Sequence, residues 1–255
     1  MTTEILYSVA DRVAEIVLNR PQKHNAMTPE MAATLQEVCA KADKDDDVRV
    51  VLLRGAGDRA FCSGSDLNGL AKYASPWHFR NRVVYENAIR NIKKPVIVAL
   101  KGWVLGGGGE MALAADIRVS GRSAKWGFPE VTRGWVGGGG ASQMLPRLIG
   151  YGQAMRMLLT GEFMDAEEAH RLGLSEVLVD DAEVESTARE MCKKIAGFSP
   201  VAAQSVKAAV RAAMSTSLEA GLRYENEMNT LCFSAGDHME GINAFNEKRT
   251  GEFKR

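Results

Sequence analysis

The sequence predicts an α/β fold that ends in a helical region, and three observations predict it. Short apolar runs of strand length alternate with segments whose apolar residues recur at helical spacing. One run, Val96 to Leu100, feeds a glycine loop and then a helix-forming stretch, and the pattern after Asp181 is almost wholly helical. The character changes near Phe198, which divides the chain into an α/β core over 1–198 and a helical region over 199–255.

Taken in order, Val13 to Leu18 is rich in branched residues and stops at the turn signal Asn19-Arg20-Pro21. Thr28-Pro29 reads as a helix cap with proline at the first helical position, and Leu35, Val38, Cys39 and Ala42 mark one buried face. Val48 to Leu53 is a second strand, followed by the loop Arg54 to Gly57. Ser75-Pro76 opens a helix expected to run to about Lys94, and Pro95 to Leu100 is the next strand. Asp116 to Ser120 is another strand, Gly137 to Gly140 leads into a helix, and Asp165-Ala166-Glu167-Glu168 starts one. Leu174 to Val179 is a last short strand.

The segment from Lys101 to Glu130 holds the least common pattern. After Val96 to Leu100 come Gly106-Gly107-Gly108-Gly109-Glu110 and the helix formers Met111 to Ala115. Glycines there allow close approach of backbone to a ligand, and the following helix aims free N–H groups and a positive dipole end at it. Such a place suits an oxygen that becomes negative. Glu110 and Glu130 are the candidate catalytic pair. The run Gly107-x-Gly109-x-x-Ala112 also fits a dinucleotide fingerprint, but the carboxylate at the right distance, Glu130, follows Pro129, which cannot donate to a sheet ladder.

With 32 basic and 32 acidic residues the net charge is zero, so no global field favours nucleic acid or an anionic membrane. The four cysteines, Cys39, Cys62, Cys192 and Cys232, show no paired spacing and are expected to be free thiols in a reducing compartment. No histidine stands in a metal-ligand spacing, so no metal is expected. The amino terminus lacks a secretory pattern and no apolar run spans a bilayer, which makes a cytoplasmic location the expectation. Apolar residues of the helical region, such as Leu218, Leu222, Met228, Leu231 and Phe245, suit either its own core or a neighbouring subunit.

Six landmarks in sequence order carry a family resemblance. They are Asn19-Arg20-Pro21 with Asn25-Ala26-Met27, Phe61 to Leu67, Gly102 to Glu110, Trp126 to Glu130, Leu158 to Gly161 with Ala166 to Leu174, and Ala244 to Arg249. They cover nearly the whole chain, which resembles the crotonase (enoyl-CoA hydratase/isomerase) family. The resemblance implies a spiral of repeated β-β-α units with a C-terminal helical region that forms trimers, often paired as hexamers. It implies an acyl-coenzyme A thioester as ligand, with coenzyme A part of the substrate and no separate cofactor. It assigns the oxyanion hole to the backbone N–H groups of Ser65 and Gly107, water activation to Glu110, and proton donation to the α-carbon to Glu130.

Because both glutamates are present, the resemblance implies hydration of a 2-enoyl thioester, with isomerisation and non-catalytic acyl-coenzyme A binding as the other readings. Substrate contacts are expected from Lys23, His24, Ala26, Ser63, Asp66 and Leu67, and at the adenine end from Phe245 and Lys248. Trp126 and Phe128 about Gly127, Trp135 in the next loop and Gly137 in place of a frequent proline leave two readings: large aromatics that simply fill core, or an acyl pocket shaped for a cyclic, aromatic or branched chain.

Overall fold

The computed structural model describes residues 3–71 and 73–253; the outer ends of the two expected regions, Met1 and Arg255, lie outside the described residues. The chain begins with a hairpin, β1 (Ile5–Ala10) and β2 (Val13–Leu18), and continues into α1 (Pro29–Lys44). Thr28 caps α1 through its side chain, which accepts from Met31 N, and Leu35, Val38, Cys39 and Ala42 are buried as the spacing requires. Then follow β3 (Val50–Gly55), β4 (Ala60–Cys62), α2 (Leu67–Leu70), α3 (Pro76–Arg80), α4 (Tyr85–Arg90), β5 (Val96–Leu100), β6 (Trp103–Leu105) and α5 (Gly107–Ala114). After α5 come β7 (Ile117–Gly121), β8 (Lys125–Gly127), a 3-10 turn Pro129–Arg133, α6 (Ala141–Ile149), α7 (Tyr151–Thr160), α8 (Ala166–Arg171) and β9 (Val177–Val179). The last four helices are α9 (Val184–Ala196), α10 (Pro200–Ala213), α11 (Leu218–Ser234) and α12 (Asp237–Asn246).

The strands form a six-stranded sheet in the order β1-β2-β3-β5-β7-β9 and a three-stranded sheet in the order β4-β6-β8. Apart from the β1-β2 hairpin, neighbouring strands are parallel. Each of β3, β5 and β7 leads directly into a strand of the small sheet before the chain turns helical. This is a spiral of β-β-α turns. Strands β3 and β5 are buried on both faces and read as continuous apolar runs. One face packs on α1, α4 and α5, the other on Val184, Ala188, Cys192 and Ala196 of α9.

Two expectations change. The helix expected from Ser75 to Lys94 is two, because the chain leaves helical geometry after Arg80 and resumes it at Tyr85. The break turns Tyr85 and Glu86 inward together with Ile89. The helical region is also not uniform. Helix α10 docks on the core through the buried Lys207, whose Nζ lies 2.6 Å from Asp116 Oδ2, and through Arg211, 2.9 Å from Asp116 Oδ1. Helix α11 has no buried residue and exposes Leu218, Leu222, Leu231 and Phe233. The four cysteines are free, three of them buried. No helix among the described residues is long and apolar enough to cross a membrane.

Candidate active site

Two glycine segments and two connecting loops build the site. Residues 20–27 and 56–65 are locked together by the buried Asn25, whose side chain donates to the carbonyls of Ala56 and Ala60 and accepts from Arg20 N. Met27 N donates to Gly64 O at 2.8 Å and Asp66 N to Met27 O at 2.8 Å, so Ser65 sits in a short bridge with its own N–H outside that pairing. Asp66 caps α2 by accepting from Asn68 N and forms an ion pair with Arg20 at 2.7 Å. It therefore braces the loop.

Close packing explains the four-glycine run. A Cβ at Gly108 would overlap the Cys62 carbonyl, and one at Gly109 would stand 2.8 Å from the Phe128 ring. Gly106 has φ of 50° and enters α5 with no side-chain cap, leaving Gly107 N as the first amide of the helix. Neither Ser65 N nor Gly107 N has a hydrogen-bond acceptor among the described residues. The two are neighbours, because a Cβ at Gly64 would lie 3.2 Å from Gly107 N.

Glu110, one turn into α5, is 3 % exposed, and its Oε1 accepts from Gly139 N, Gly140 N and Ala141 N at 2.8, 2.9 and 3.0 Å. Three amides converging on one oxygen hold the carboxylate in a single orientation and suit an anion. The second glycine run exists for this grip. A Cβ at Gly137 would lie 2.8 Å from the same oxygen, so Gly137 borders the carboxylate. Glu130, on the 3-10 turn after β8, comes up against Gly106. Its Oε1 lies 2.7 Å from where a Cβ on Gly106 would be, and its buried Oε2 has no hydrogen-bond partner among the described residues. Burial raises the Glu130 carboxyl above its ordinary range, and the nearby charge of Glu110 adds to the rise.

The remaining expected contacts divide. Ser63, Ala26, Lys23 and His24 line one edge, with Ser63 N donating to His24 O at 3.0 Å, and Leu67 is exposed beside them. Phe245 is 83 % exposed and Lys248 is exposed too, on a part of the chain that its own core leaves uncovered. Trp126 and Phe128 need correction: they are 0 % and 1 % exposed and belong to the core cluster. Strand β8 points Trp126 inward, and Phe128 packs beneath Gly109, so they support α5 and offer no surface to an acyl chain. Trp135 stands open, at 42 %, and its N donates to Glu130 O.

The sequence reading missed Tyr85 and Glu86. Tyr85 Oη lies 2.9 Å from Ser65 Oγ, and Glu86 is buried beside Gly107 and Gly139. A carboxylate three residues before Ile89, on the apolar face of a helical pattern, was the available signal.

Comparison with known proteins agrees with this geometry. The family model for enoyl-CoA hydratase/isomerase matches residues 9–255. The chain is 36 % identical over 255 residues to (E)-benzylidenesuccinyl-CoA hydratase of Thauera aromatica, covering 98 % of each. It is 34 % identical over 241 residues to short-chain-enoyl-CoA hydratase of Clostridium acetobutylicum, covering 93 % of this chain and 92 % of that one. The crystal structure of enoyl-CoA hydratase from Bacillus anthracis superposes with a TM-score of 0.94 at 34 % identity, covering 99 % of each chain. The spiral of β-β-α turns, the full-length match and the paired glutamates have one common reading: the chain belongs to the crotonase, or enoyl-CoA hydratase/isomerase, family.

Proposed function

We infer that the protein is an enoyl-CoA hydratase that adds water across the double bond of a 2-enoyl-coenzyme A thioester. The observation that carries this reading is Glu110, anchored by three amides one turn into the helix that Gly107 begins, together with Glu130 lying against Gly106 at the start of the same helix. In the proposed reaction the thioester oxygen lies between Ser65 N–H and Gly107 N–H. Water held by Glu110 loses a proton to that carboxylate as its oxygen bonds to the β-carbon. The double-bond electrons shift towards the thioester oxygen, whose enolate charge the two amides stabilise. The enolate then takes the Glu130 proton at the α-carbon, the buried, protonated carboxyl being suited to that donation. In this proposal the pair delivers water and proton to the same face of the double bond, so addition is syn. Proton exchange with solvent restores the starting forms.

Isomerisation needs one carboxyl to move a proton between two carbons, whereas the second, amide-anchored carboxylate is what hydration calls for. Names among the relatives, such as crotonyl-CoA hydratase of Syntrophomonas wolfei at 32 % identity and 2,3-dehydroadipyl-CoA hydratase of Escherichia coli at 36 %, support the same choice. No cofactor beyond the chain and the thioester enters this chemistry. Loss of enoyl absorbance on hydration, abolished in Glu110→Gln and Glu130→Gln, tests the reading.

Residues 1–198 would then carry the site and 199–255 the subunit contacts of a trimer or hexamer. The exposed apolar residues of α11 and α12 favour that assembly, and Phe245 and Lys248 would reach coenzyme A from a neighbouring subunit. Free, largely buried thiols favour a reducing, cytoplasmic setting.

A further inference from the structure

Glu86 is 5 % exposed and forms no salt bridge among the described residues, although it lies against the reacting centre. Two glycines report its position. A Cβ at Gly139 would overlap the Glu86 carboxyl carbon and stand 2.7 Å from Glu110 Oε2, so the two carboxyls face each other across that glycine. A Cβ at Gly107 would overlap Tyr85 Oη and lie 2.9 Å from Glu86 Oε1, so the same carboxyl also backs the first amide of α5. The three amides on Glu110 occupy Oε1 and leave Oε2 as the oxygen turned towards Glu86.

We propose that Glu86 is a third acid of this centre, a positioning residue lodged between Gly107 and Gly139. There its neutral form steadies the Glu110 carboxylate without adding charge behind the oxyanion hole. Its place in the structure is independent of the reaction assigned above; its effect on turnover rests on the hydratase reading. Glu110 faces it from α5, Cys62 from β4, and Tyr85 stands beside it on α4 with its hydroxyl on Ser65. Glu130 lies beyond Glu110, and Arg90 is engaged with Gly139 O at 2.8 Å. A backbone amide, the Arg82 charge and a hydrogen bond from the Tyr85 side chain oppose protonation, though Arg82 is itself stacked on the Phe79 ring and donates to Phe79 O. Burial and then the Glu110 charge outweigh them and push Glu86 up to about 7. Above that pH an ionised Glu86 places a negative charge behind Gly107, where the thioester oxygen becomes negative, and repels Glu110 from its seat.

The test joins a pH profile of kcat/KM on crotonyl-coenzyme A with carboxyl 13C NMR titration of the resting enzyme, in wild type, Glu86→Gln and Glu86→Ala. The wild type is expected to lose about tenfold between roughly pH 6 and 9. Glu86→Gln, neutral at every pH, should lack that limb, and Glu86→Ala should lower kcat at all pH values with KM changed less than about threefold. A carboxyl resonance titrating near neutrality should vanish in Glu86→Gln. An identical alkaline limb in Glu86→Gln, or a near-neutral carboxyl titration that is missing in wild type or survives in Glu86→Gln, overturns the proposal. Should the wild type hydrate no thioester, the hydratase reading falls and the NMR titration still decides the state of Glu86. If Glu86→Ala does not fold, the isosteric glutamine variant carries the test.

Discussion

Gly107→Ala is the substitution whose consequence the packing fixes most tightly. The added methyl would overlap the Tyr85 hydroxyl and stand 2.9 Å from both Tyr85 Cζ and Glu86 Oε1. Tyr85 has no room to retreat: it is 7 % exposed, and its hydroxyl is bonded to Ser65, the residue whose amide is proposed as the other half of the oxyanion hole. Helix α5 is fully buried and rests on the Cys62 backbone at Gly108, so it cannot slide either. Overpacking of this kind costs about 1–3 kcal/mol of stability. The larger effect is expected on turnover, because any relief moves an amide away from the place the proposed reaction gives the thioester oxygen, and losing one such donor costs about a hundredfold to a thousandfold in kcat. Chemical denaturation and crotonyl-coenzyme A hydration measure the two losses. Tyr85→Phe removes the first overlapping atom, so the double variant should recover about 1 kcal/mol of the stability lost, a coupling of the size expected for touching residues. Gly107→Ala with wild-type stability and kcat would refute the reasoning.

Three other outcomes follow from the structure. Asp116→Ala leaves Lys207 buried without its carboxylate, although burial already lowers that ammonium to about 8, so a loss of about 3 kcal/mol is expected by denaturant titration. Glu86 is raised in the folded chain, so its favourable contribution is full below its ordinary value of 4.5 and is lost as pH rises through about 7; the gap corresponds to roughly 3 kcal/mol. Wild-type stability should therefore fall across that window more steeply than that of Glu86→Gln, and equal slopes would contradict the assignment. Trp135→Ala should change the ratio of kcat/KM between crotonyl and aryl-substituted enoyl thioesters by roughly tenfold, with crotonyl turnover altered less.

The large sheet was legible because β2, β3 and β5 carry mostly branched apolar residues over five or six positions. The small sheet was not: β4, β6 and β8 are three residues each, too short for any periodicity, and they pair only because the spiral stacks them. Strand β1 was missed for another reason, since most of its residues face solvent and only Ile5 is buried. Glu110 and Glu130 stood out because each follows an unusual backbone, a glycine run and a Gly-Phe-Pro turn. Trp126 and Phe128 misled, because a large aromatic beside an active-site turn can face either way, and here the register of β8 with β6 turns Trp126 into the core. Glu86 was hidden by reading residues 75–94 as one helix; the break after Arg80 resets the helical phase and turns that carboxyl inward. Why the second glycine run is needed was also invisible until its amides were found on Glu110.

The most direct measurement is the rate of crotonyl-coenzyme A hydration by Glu110→Gln and Glu130→Gln, taken alongside the affinity of each for the thioester. The account predicts binding within a few fold of wild type and kcat reduced by about a hundredfold to ten-thousandfold in both. Hydration at the wild-type rate in either variant would contradict it.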